Sequence, residues 1–118
     1  MKNRDLVKDT MAKLDQLGFT ALFPNIDYSP ENKDVALTAE EKNKLAQDHY
    51  RAIEEADAVY FILLNGYMGT SCKIELGYAL ALKKPIYFSE PTNDIGIDGY
   101  YKKIINLGNL RDFKDELG

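Results

Sequence analysis

AVYFILLNGYMGTSCKIELGYALALKKPIYF, residues 58–88, holds a strand, a loop, a helix and a second strand in that order. Residues 58–64 form a continuous apolar run, of the kind found in strands buried on both faces. The polar turn NGYMGTS follows, and Thr70 or Ser71 is placed to cap a helix that ends near Leu82. The KKP turn then leads into a short strand, residues 86–88. A helix of this length between two strands is the kind of crossover that a parallel pair requires.

Working outward, Leu6, Val7, Met11, Leu14 and Leu17 recur at helical spacing, and Gly18 supplies the stop. FTALF, residues 19–23, reads as a buried strand ended by Pro24, and the polar loop PNIDYSPENKD follows. TAEE is a capping box, Thr38 with Glu41 three residues on, and opens a second helix that runs to about Glu55. After residue 88 come a polar loop, SEPTNDIGIDG, an apolar patch from Ile104 to Leu107, and a final amphipathic helix from Leu110. Helices alternating with strands predict an α/β domain with a parallel sheet covered on both faces. No strand precedes the first helix. Either the sheet lacks its first strand, or the sequence is an N-terminally truncated form of a longer one.

The 118 residues suit one domain with a single core. A net charge of -4 argues against a nucleic-acid polymer as partner, since no Lys/Arg stripe is present to displace counterions. One cysteine, Cys72, rules out an internal disulfide and a structural zinc site. No apolar run approaches the roughly 20 residues that cross a bilayer, and no leader pattern opens the chain. A soluble, cytoplasmic protein with no membrane partner is expected.

Sheets of this kind bind ligands beyond the carboxyl ends of their strands. Three loops lie there: PNIDY, NGYMGTS and SEPTND. They supply Asn25, Asp27, Tyr28, Asn65, Asn93 and Asp94 as candidate ligand contacts, although each residue type is also ordinary in turns. Gly66, Gly69, Thr70 and Ser71 form a small-residue loop at a helix start, where unpaired N–H groups favour an anion. The spacing matches neither a Walker loop nor GxGxxG. Glu75 is the charge that stands out. Its helical neighbours are Ser71, Cys72, Tyr78, Ala79 and Leu82, a packed face on which a carboxylate is costly unless it meets a polar cleft. It does not complete a capping box with Thr70 or Ser71, because Lys73 and Ile74 occupy the required positions. His49, the one histidine, shares a helix face with Leu45, Ala52, Ile53 and Ala56, so it is either a core residue or one that leans over the cleft. Cys72 with His49 as base is a formal nucleophile pair, but its neighbours mark it as a small buried residue. Tyr60, Tyr78 and Tyr87 read as packing.

AIEEADAVYFIL, residues 52–63, followed by GTSCKIELGYALALKKPIYF, residues 69–88, resembles the nucleoside 2-deoxyribosyltransferase superfamily, which includes deoxynucleoside 5′-monophosphate N-glycosidases. The shared pattern is an I…AD lead-in to a strand, a glycine/serine loop, E-[LI]-G-x-A, and a K-K-P turn before the next strand. It covers residues 45–88 closely, and the first helix with LFPN more loosely. The resemblance implies a flavodoxin-like α/β domain over residues 1–118 that cleaves an N-glycosidic bond without a cofactor or a metal. It makes Glu75 the nucleophile. It places His49, with Asp48 beside it, where the transferases carry an aspartate that assists the base. It puts Gly69 where a second family aspartate stands, and the neighbouring Thr70 and Ser71 hydroxyls suit a 5′-phosphate. It further implies a homo-oligomer with sites near subunit contacts. The other reading is a non-catalytic nucleotide-binding module or a truncated inactive paralogue.

Overall fold

A computed structural model describes residues 4–20 and 38–117. The chain divides into two compact units, Met1–Ala52 and Ile53–Gly118. The first carries helix α1, Arg4–Gln16, and most of α2, Ala39–Glu55. Helix α1 turns Val7 and Thr10 inward, and the buried Thr10 hydroxyl donates to the Leu6 carbonyl at 2.8 Å. Gly18 ends this helix at φ +95°, with Gly18 N–H donating to Asp15 and Phe19 N–H to Leu14, both at 3.0 Å. That paired closure needs a residue in the left-handed region, which glycine enters without a steric cost. The strand expected over residues 19–23 lies mostly outside the described residues, and Phe19 and Thr20 belong to no strand. The capping box on α2 forms as expected. Glu41 N–H donates to Thr38 Oγ1 at 3.1 Å, and the Glu41 carboxylate accepts Thr38 N–H at 3.4 Å.

The second unit contains β1 (Val59–Phe61), α3 (Thr70–Ala81), β2 (Ile86–Phe88), α4 (Ile95–Asp98), β3 (Lys103–Ile104), a 3-10 turn (Leu107–Asn109) and α5 (Asp112–Leu117). The strands form one parallel sheet in the order β1-β2-β3, with Val59 opposite Ile86, Tyr60 opposite Tyr87 and Phe61 opposite Phe88. This is the α/β, flavodoxin-like arrangement. Side chains alternate across each strand, so two different packing surfaces result. On one face, Phe61 and Phe88 meet edge-on at 5.7 Å and pack in a core cluster with Leu76 and Ala79 of α3. On the other, Tyr60 and Tyr87 both meet Phe113 of α5 edge-on, at 4.9 and 5.1 Å. Helices therefore cover both faces, and all three residues of β2 are buried. Each fully buried apolar side chain here contributes about 1.5–3 kcal/mol.

Four details differ from expectation. Strand β1 stops at Phe61 rather than Leu64, because Leu63 N–H goes to the Ser89 side chain and Leu64 pairs with Tyr67. The strand buried throughout is β2, the middle one of the three, whereas β1, from the apolar run expected to be buried on both faces, is only part-buried at Val59 and Tyr60. The patch after residue 103 begins as strand β3, and the loop after β2 holds the four-residue α4. Among the described residues no helix is long and apolar enough to cross a membrane.

Candidate active site

Asn65 and Gly66 both adopt positive φ, 57° and 73°, and Tyr67 N–H donates to the Leu64 carbonyl at 3.0 Å. Asn-Gly with two left-handed residues is the signature of a two-residue hairpin turn, which here reverses the chain just beyond the carboxyl end of β1. Gly66 is also pressed against the loop after β2. A β-carbon on it would lie 2.9 Å from the Pro91 carbonyl oxygen, and its N–H donates to the Glu90 carboxylate. Ser89 ties the same two loops from inside. Its hydroxyl accepts Leu63 N–H at 2.8 Å, and Asn106 beyond β3 donates to the Ser89 carbonyl at 2.9 Å. The carboxyl ends of all three described strands are thereby fixed to one another.

The loop after β2 has its own clamp. One Asp98 oxygen accepts both Thr92 N–H at 2.8 Å and the Thr92 hydroxyl at 2.6 Å, and the other accepts Asn93 N–H at 2.8 Å. The Thr92 hydroxyl, assisted by the two backbone N–H groups, holds the Asp98 carboxyl below its ordinary value. Asp94 caps α4 by accepting Gly96 N–H at 2.9 Å.

Helix α3 starts one residue earlier than a Thr70 cap requires, and two earlier than a Ser71 cap requires. Its N-cap is Gly69, with extended backbone and no side-chain cap bond, and Thr70 and Ser71 are the first two helical residues, both exposed. A β-carbon on Gly69 would lie 3.5 Å from the Tyr67 ring, so the hairpin's aromatic covers this glycine. Glu75 follows on the second turn and is half-buried. Cys72, one turn before it, is also half-buried. Burial, and secondarily the Glu75 charge, push the Cys72 thiol up to about 11, while a hydrogen bond from the Gly69 backbone pulls the other way. A thiol so placed stays protonated near neutral pH, which removes Cys72 as a thiolate nucleophile.

The family model of the nucleoside 2-deoxyribosyltransferases matches residues 1–103. The chain belongs to this family. No curated protein matches it.

In this nucleoside 2-deoxyribosyltransferase family member, the second unit carries Asn65, Gly69, Thr70, Ser71, Glu75, Asn93 and Asp94 on the loops and helix that follow β1 and β2. Asn65 and Asn93 are exposed, and both adopt positive φ, so their first task is the turn itself. Asp94 is a helix cap before it is anything else. His49 is half-buried on α2 in the first unit. Asn25 and Asp27 lie outside the described residues. Sequence reasoning passed over Tyr67, Ser89, Glu90, Thr92 and Asp98, which build the frame. The Asn65-Gly66 dipeptide was the one available signal for it, as the commonest mark of a tight hairpin.

Proposed function

We propose that this protein cleaves the N-glycosidic bond of a deoxynucleoside or deoxynucleoside 5′-monophosphate, with Glu75 as nucleophile. The observation that carries the reading is the position of Glu75. It is a half-buried carboxylate on the second turn of the helix that leaves the loop beyond β1, in a chain whose family is named for deoxyribosyl transfer. A carboxylate shielded in part from water acts strongly on the positive charge that develops at the anomeric carbon as the base departs. The Glu75 oxygen forms a bond to that carbon while the bond to the base nitrogen breaks, which gives a glycosyl ester and a base that must gain a proton. His49 is assigned that proton by its chemistry alone. A second base or water then attacks the same carbon and gives up a proton, which restores His49, while the bond to Glu75 breaks and its carboxylate is released, completing transfer or hydrolysis. The exposed Thr70 and Ser71 hydroxyls and the unpaired N–H groups at the start of α3 suit a 5′-phosphate or 5′-hydroxyl.

The test is incubation with a panel of deoxynucleosides and their 5′-monophosphates, with and without an acceptor base, and chromatographic detection of free base. Release by the native protein and its loss in Glu75→Gln, at unchanged thermal stability, supports the assignment. Equal turnover by Glu75→Gln overturns it. Binding without release by the native protein supports the non-catalytic module instead.

A further inference from the structure

Tyr67 is 75% exposed, an unusual setting for a large aromatic whose backbone is held so firmly. Its N–H is bonded to Leu64, the turn before it uses two left-handed residues, and Gly66 is locked between the Glu90 carboxylate and the Pro91 carbonyl. One side of the ring, from Cε2 to the hydroxyl, rests against Gly69, the cap of the helix that carries Glu75. A tyrosine has only two side-chain torsions, so a ring on a fixed backbone offers a flat apolar surface at little further entropic cost. Every nucleobase has a π-face able to stack on such a surface.

We propose that Tyr67 is the stacking platform for the nucleobase, and so the residue that recognises this part of the substrate; this rests on the function proposed above. The locked Asn65-Gly66 turn places the ring beside Gly69, at the start of the helix that carries Glu75. Stacking tolerates different bases, so the platform sets how tightly a base is held and not which one.

The test uses the Glu75→Gln protein, which by the proposed function should bind without turnover, and calorimetric titration with the four deoxynucleoside 5′-monophosphates and with 2-deoxyribose 5-phosphate. Adding Tyr67→Ala should weaken the nucleotides by about 5- to 150-fold, the range that loss of one base–aromatic stack produces. The baseless sugar phosphate should bind as before, and Tyr67→Phe should restore nucleotide affinity, since the ring and not the hydroxyl does the stacking. Unchanged nucleotide affinity in Tyr67→Ala overturns the proposal, as does an equal loss for the sugar phosphate. Base release by the native protein beside either of these results leaves the proposed reaction standing while the platform falls. If none of the nucleotides binds, the platform falls, and base release by the native protein decides the proposed reaction separately.

Discussion

The Ser89 hydroxyl is bonded to both backbone polar groups of Leu63, accepting its N–H at 2.8 Å and donating to its carbonyl at 3.3 Å. Both residues are almost wholly buried, at 3% and 2% exposure. One side chain thus continues the β1–β2 ladder past the point where the backbones separate. Ser89→Ala leaves Leu63 N–H buried without a partner, which costs about 1–3 kcal/mol. Urea unfolding should show a lower midpoint at an unchanged slope, and amide exchange at Leu63 should speed up more than exchange within α5.

Gly66 gives a second, sharper test of the same frame. Gly66→Ala demands a left-handed alanine and places its β-carbon 2.9 Å from backbone, which cannot yield as a side-chain tip can. The expected destabilisation is about 1–3 kcal/mol. Gly77 is the control, because a β-carbon there meets nothing within 4 Å and its position is inside α3. Gly77→Ala should raise stability by about 0.5–1 kcal/mol. Thermal denaturation of the two variants should therefore move in opposite directions.

The Asp98 clamp predicts a pH response. Its carboxyl is held below the ordinary 3.8, with the Thr92 hydroxyl as the largest cause. A carboxyl whose folded value is depressed stabilises the fold above its unfolded value, and that stabilisation is lost as pH falls through the folded one. The Thr92 and Asn93 amide resonances should therefore shift together in acid, with a midpoint below that of a free aspartate. In Asp98→Asn the shared transition should vanish, and the two amides should exchange faster at neutral pH.

Elements whose signal is local were legible in the sequence. The Thr38–Glu41 box, the αβ alternation and the ELGYA helix each depend on residues a few positions apart. Glu75 was found for the same reason, as a charge out of keeping with its own helix. What escaped depends on distant pairings. Strand β1 looked long because its apolar run continues to Leu64, yet its end is decided by Ser89, 26 residues away. Strand β3 has only two residues, Lys103 and Ile104, too few for any period to register. Gly69 was overlooked as a cap because two hydroxyl residues follow it. Their presence made a side-chain cap the obvious choice, whereas the aromatic at Tyr67 covers the glycine itself. At the site, the residues that touch a ligand by expectation were chosen for polarity, while those that hold the loops in place are polar side chains whose backbone partners lie elsewhere in the chain, a pairing that polarity does not reveal.

Cys72 offers a chemical reporter on Glu75. Its thiol is raised to about 11 mainly by burial and secondarily by the neighbouring carboxylate. The thiolate is the reactive form, so alkylation by iodoacetamide near neutral pH should be slow in the native protein. Glu75→Gln removes the charge and keeps the burial, so the thiol should become more acidic yet stay above the ordinary 9.0. Alkylation followed by mass spectrometry across alkaline pH should show the rate profile move to lower pH in the variant, with the same limiting rate. A profile that does not move would mean that Glu75 carries no charge felt at Cys72, which is incompatible with an ionised nucleophile in this position. Cys72→Ala should retain base release, because the thiol serves packing and the Gly69 cap and takes no part in the bond exchange assigned to Glu75.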